Sequence, residues 1–137
     1  MRSKVLIVDV NEINLLVAER MVAALGCKTV CALTGREAVA LHRQERPDLV
    51  LIDLSMPDMD GFEAASEIMR LQDGDAVKAP IVAMTAHPAL THRNRCLDAG
   101  FSGFLEKPAT FDKVEKTLSP FLAPGSTPHS DPTGDKP

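Results

Sequence analysis

Leu49-Val50-Leu51-Ile52-Asp53-Leu54 is an unbroken apolar run that stops on a carboxylate. No polar residue alternates with the apolar ones, which suits a strand buried on both faces of a parallel sheet rather than one with a wet side. Val5-Leu6-Ile7-Val8 repeats the pattern and also stops on an aspartate, Asp9. Lys28–Ala32 is a further run, and Ile81–Met84 and Gly103–Leu105 are weaker ones.

The intervals between these runs read as helices. Ile13, Leu16, Val17, Arg20, Met21, Ala24 and Leu25 include apolar residues at steps of three and four, and Gly26 follows them, predicting a helix from about Glu12 to Leu25 with a glycine just past its end. Thr34-Gly35-Arg36-Glu37 has capping-box spacing, and Ala38, Val39 and Leu41 carry an apolar face toward Pro47. Gly61–Leu71 and Pro88–Ala99 read as a third and fourth helix, the latter ended by Gly100, and Thr110 is the N-cap of a fifth reaching about Leu122. Strict alternation of strand and helix predicts an α/β fold of (βα)5 type: right-handed crossovers and a doubly wound five-stranded parallel sheet covered on both faces. One domain, 1–122, is expected. From Ala123 to Pro137 no periodic apolar face remains to offset ordering entropy, so that stretch is expected to be a disordered tail or linker.

Composition narrows the function. The 137 residues are 45% hydrophobic and 25% charged with a formal charge of −4, an ordinary globular balance that argues against nucleic acid or an anionic membrane as partner. The longest apolar stretches are about five residues against the roughly 20 that span a bilayer, and the N-terminus lacks a signal-like apolar run, so a cytoplasmic location is expected. Cys27 and Cys31 would lie on one face of a strand, about 13 Å apart and too far to bridge. The cysteines therefore read as small buried residues, and His42, His87, His92 and His129 show no metal-ligand spacing.

Ligands of open parallel sheets bind outside the carboxyl ends of the strands. There this chain places Asp9, Asp53, Thr85 and Lys107-Pro108. Asp9 alone reads as a turn former. Asp53 is different, because a carboxylate closing a fully apolar strand is costly unless something compensates it. Asp9, Asp53 and Lys107 together suggest a charged cluster that handles a cation, a phosphoryl group, or both.

Taken in order, Ile-Val-Asp9, Asp53-Leu-Ser-Met-Pro57-Asp-Met-Asp-Gly61, Met-Thr85-Ala86 and Gly-Phe-Leu-Glu-Lys107-Pro108 resemble the signatures of response-regulator receiver domains, over about Lys4 to Leu122. The resemblance implies a flavodoxin-like receiver fold with strand order 2-1-3-4-5. It implies that Asp53 is the phosphoacceptor, taking a phosphoryl group from a phosphohistidine of a sensor histidine kinase or a histidine phosphotransfer protein. Thr85 would contact that group, Lys107 would pair with its oxygens, and Phe104 matches an aromatic switch position. Magnesium would be held by Asp9, Asp53 and the Ser55 carbonyl. The signal would leave through the face of the fourth helix, fifth strand and fifth helix to a downstream protein partner, and Pro108 would follow a cis peptide bond. Val8 to Met21 looks more like receivers of hybrid sensor kinases than those of transcription factors.

Elementary chemistry agrees. A carboxylate attacks an anionic phosphoryl donor poorly, so the site must neutralise charge, which a magnesium ion and an ammonium group do. The acyl phosphate adds a charge near −2, for which the Thr85 hydroxyl is a donor, and small Ala86 leaves it accessible. One departure stands out. Where the family usually carries two adjacent acidic residues this chain has Asp9-Val10, and Val10 has no oxygen to offer a metal that prefers an octahedral oxygen shell. Either Asp9 or Glu12 partly substitutes and phosphotransfer continues with weaker magnesium binding, or the chain is a degenerate receiver that works as a phosphorylation-independent docking module. Enzymatic readings on the same architecture fit less well. A flavin phosphate needs backbone donors where Asp9-Val10-Asn11-Glu12 brings negative charge, and Asp53-Leu54-Ser55 lacks the second aspartate of aspartate-nucleophile phosphohydrolases.

Overall fold

The computed structural model of the chain describes residues 3–54, 61–74, 78–85, 100–107 and 110–122. The expected fourth helix, Pro88–Ala99, lies outside the described residues, as do Ser55, Ala86, Pro108 and the stretch from Ala123 onward. Strands β1 (Lys4–Val8), β2 (Lys28–Ala32), β3 (Leu49–Asp53), β4 (Ile81–Thr85) and β5 (Gly103–Glu106) form one parallel sheet in the order β2-β1-β3-β4-β5. Helices α1 (Glu12–Ala24), α2 (Gly35–Glu45) and α3 (Gly61–Leu71) and a C-terminal helix (Phe111–Leu118) are interleaved with the strands. No described helix is long and apolar enough to cross a membrane.

The helix ends follow their capping chemistry. Asn11 Oδ1 accepts from Ile13 and Asn14 N–H to start α1, and Gly26, at φ 90°, lets the chain turn away after it. Thr34 Oγ1 accepts from Glu37 N–H, while the Glu37 carboxylate reaches back to Leu33 N–H. Thr110 caps the C-terminal helix through Lys113 N–H. That helix stops at Leu118 rather than near Leu122, and the chain continues as a 3₁₀ turn over Ser119–Phe121, because Pro120 has no N–H to extend the α ladder.

Alternation along the strands builds two cores. Leu6, Val8, Val50, Ile52, Ile81 and Ala83 face α2 and α3, whereas Val5, Ile7, Leu49, Leu51, Val82 and Met84 face α1 and the C-terminal helix. Helix α1 departs from its expected stripe. Leu15, Ala18 and Val22 are its buried residues, whereas Ile13, Leu16 and Val17 are 73%, 48% and 46% exposed. The helix is apolar nearly all round, so spacing alone could not say which stripe is the inner one. Cys27 and Cys31 are free thiols packed in the α1-side core, and His42 is a core histidine whose ring meets Gln72 Oε1 at 3.2 Å.

Candidate functional site

The carboxyl ends of β1, β3, β4 and β5 bring Asp9, Asp53, Thr85 and Lys107 to one edge of the sheet. Asp9 follows β1, where its N–H donates to Ala32 O of β2 at 3.1 Å. Its side chain is buried, and Oδ1 accepts from Asn11 N–H at 2.9 Å. Asp9 is thus the turn former expected of it, but not only that. Its second oxygen, Oδ2, accepts from Lys107 Nζ at 2.7 Å.

Lys107 is placed by its backbone, whose N–H donates to Thr85 O at 2.7 Å and carries the β4–β5 ladder one residue beyond Glu106. From there Nζ also lies 3.5 Å from Asp53 Oδ2. Asp53 closes β3 opposite Met84 of β4, and only 6% of the residue is exposed. One ammonium therefore stands between two buried carboxylates, and with both ionised the trio carries a net charge of −2 + 1 = −1. Shielded from water, such charges act on one another more strongly than surface pairs do.

Thr85 is buried at the end of β4 and belongs to the opposite face of the sheet. Alternation puts it with Ile81 and Ala83 on the α3 side, the side on which half-buried Phe104, the register partner of Ala83, packs. Lys107 falls on the parity of Leu105, which packs in the α1-side core. The hydroxyl and the aromatic ring thus share one face, and the charged trio gathers on the other.

The donor set suits a hard cation in part. Asp9 and Asp53 offer carboxylate oxygens, the class that magnesium prefers, but both Asp9 oxygens already accept hydrogen bonds and the Val10 side chain offers only methyl groups. Among the described residues no group of three or more His, Cys, Asp or Glu is arranged to hold a metal. Ser55, the third expected ligand, lies outside the described residues. Sequence reasoning paired Lys107 with a phosphoryl group and did not anticipate Asp9 as its short-range partner or Asn11 as the cap beside it. The Asx spacing from Asp9 to Asn11 was the available signal.

The response regulator receiver domain family matches residues 5–119. The chain is 37% identical over 123 residues to the peroxide stress-activated histidine kinase mak1 of Schizosaccharomyces pombe, covering 86% of this chain but 7% of the kinase. It is 30% identical over 123 residues to the polar-differentiation response regulator DivK of Brucella anthropi, covering 89% of this chain and 98% of that protein. The chain thus spans a small fraction of the length of the kinase and nearly all of that of the response regulator. Among solved structures, the receiver domain of the Pseudomonas aeruginosa sensor histidine kinase PA1611, with magnesium coordinated in its active-site cleft, superposes with a TM-score of 0.78 at 30% identity, covering 88% of this chain and 98% of that one. The co-crystal structure of the Saccharomyces cerevisiae histidine phosphotransfer protein Ypd1 with the receiver domain of Ssk1 gives a TM-score of 0.78 at 26% identity, covering 84% and 85%.

Proposed function

The chain belongs to the response regulator receiver domain family of two-component signalling, and from that premise we propose that Asp53 accepts a phosphoryl group from the phosphohistidine of a histidine kinase or a histidine phosphotransfer protein. The observation that carries this reading is the ammonium of Lys107 set between Asp9 and Asp53 at the carboxyl edge of the sheet. Support for the reading comes from a buried carboxylate and a cation set together at this edge, with the end of β4 at Thr85 bonded to the Lys107 backbone beside them.

In the transfer, an Asp53 carboxylate oxygen attacks phosphorus while the bond from phosphorus to the donor imidazole breaks, and that bond's electron pair returns to the ring nitrogen. An acyl phosphate remains on Asp53. Lys107 stabilises the equatorial oxygens, for which its Nζ moves off Asp9 toward the phosphoryl group. Thr85 donates its hydroxyl to one of those oxygens. Asp9 and Asp53, with the Ser55 carbonyl, would be the residues to hold a magnesium ion, which would supply neutralisation of the charge on the transferring group. Exposed apolar side chains near the site, Val10, Ile13 and Val17 on and before α1 and Phe111 on the C-terminal helix, support a protein as the physiological donor. The acyl phosphate is read on the face of β5 and the C-terminal helix, through Thr85 and Phe104, by a downstream protein.

Transfer from a phosphorylated histidine phosphotransfer protein, followed by borohydride trapping and peptide mapping, tests the assignment. Label at residue 53 supports it, and label elsewhere refutes it. A second reading, docking without phosphorylation, is favoured by Val10 alone, and it gains ground only if no donor labels the chain.

A further inference from the structure

One flank of helix α1, that of Leu16 and Glu19, borders the core residue Leu15 without being packed into the core itself. It looks toward β2, the edge strand of the sheet, and toward the start of α2. Between these elements runs an open groove of about 380 Å³. Its floor is apolar: Leu15 and Leu16 from α1, with Cys31 and Leu33 from β2 and the residue beyond it. Leu16 is 48% exposed there, so the floor is open to solvent. Its rim is anionic, carrying Glu12, Glu19 and Glu37, and among the described residues no Lys, Arg or His lines it.

Two rim carboxylates are held in place. Glu19 Oε2 accepts from Thr29 Oγ1 at 3.2 Å, and Glu37 Oε1 accepts from Leu33 N–H at 2.8 Å. A partner therefore meets charges already fixed, and little side-chain entropy is left to lose on binding. The negative field is felt within the groove itself, where burial and then the Glu19 carboxylate push the Cys31 thiol up to about 11.

These features select an occupant. Phosphate, nucleic acid and anionic lipid are repelled by the rim. A small cation would leave the leucine floor wet. The complement to a leucine floor between fixed carboxylates is a helical segment with an apolar anchor and Lys or Arg within one turn on either side, since apolar burial supplies affinity and the paired charges supply orientation and rate. We propose that the α1–β2–α2 groove is a docking site for a basic amphipathic helix of a partner protein, separate from the face that meets the phosphodonor.

The probe is a pair of fluorescein-labelled helical peptides that share two leucines four residues apart and differ only in flanking lysines or glutamates. Anisotropy titration against the whole chain should show saturable binding of the lysine peptide, about tenfold or more tighter than the glutamate peptide. The lysine peptide should also slow alkylation at Cys31, read by peptide mass. Leu16→Asp, at a side chain already half exposed, should weaken the lysine peptide by about tenfold. Glu19→Lys is a second route to the same loss through the rim. Equal affinity for the two peptides, no binding of either, or binding of the lysine peptide untouched by both substitutions overturns the proposal. Phosphorylation of Asp53 is scored on the same preparation by mass, so failure of the groove and failure of the phosphoacceptor assignment give different results.

Discussion

Lys107 Nζ donates to Asp9 Oδ2 at 2.7 Å, a shorter approach than its 3.5 Å to Asp53 Oδ2. Both carboxylates pair with the one ammonium, so with both ionised the trio carries one more negative charge than positive. Lifting a surplus buried charge stabilises a fold, whereas removing the shared cation leaves two carboxylates facing each other. Asp53→Asn should raise unfolding stability by about 1 kcal/mol, and Lys107→Met should lower it by about 3 kcal/mol. Urea denaturation checks both. Stability lost in Asp53→Asn, or kept in Lys107→Met, contradicts this reading of the charges.

Val10 is 41% exposed, so an acidic residue fits there without disturbing the core. Val10→Asp adds an oxygen ligand beside Asp9 and a like charge near Asp53, and the two effects pull apart. Magnesium affinity by titration calorimetry should rise about tenfold, while stability without metal should fall. Equal affinities would mean that Glu12 or water already fills the position of the missing carboxylate.

The Cys31 thiol, pushed up to about 11, is almost wholly protonated at neutral pH, and its thiolate amounts to about one part in a thousand at pH 8. Alkylation at Cys31 should therefore be slow and should quicken about tenfold per pH unit between pH 7 and 10. Burial is the larger cause and Glu19 the smaller, so Glu19→Gln should quicken the reaction only modestly. A rate that levels off below pH 9 would show a less shielded thiol.

Much of this was legible in the sequence. The (βα)5 order could be read because both-face burial leaves strands such as Leu49–Ile52 without a single polar residue, and because Thr34, Thr110 and Gly26 mark helix ends by local chemistry. Which side of α1 faces inward was not legible, since its apolar residues are spread over every side and leave little net direction. The edge on which Asp9, Asp53, Thr85 and Lys107 meet follows from parallel topology alone. Which carboxylate Lys107 takes does not, because that depends on fractions of an ångström set by side-chain packing.

Thr85 and Phe104 share the α3 side of the sheet, with Phe104 in register with Ala83, two residues before Thr85. If Thr85 is drawn toward phosphoryl oxygens, Phe104, now half-buried, can fill the space behind it. Completing the burial of an aromatic ring is worth about 2 kcal/mol, enough to shift two states by more than tenfold. Amide exchange with a stable phosphoryl mimic on Asp53 should change protection over Phe101–Leu105, and Thr85→Ala should abolish the change. Identical exchange with and without the mimic would remove the switch.

The measurement closest to the central claim is intact-mass analysis of the whole chain after incubation with magnesium and a small phosphodonor, with Asp53→Ala in parallel. The account predicts a gain of one phosphoryl group in the unaltered chain and none in the variant. An equal gain in both, or none in the unaltered chain even with a phosphorylated histidine phosphotransfer protein as donor, would contradict it.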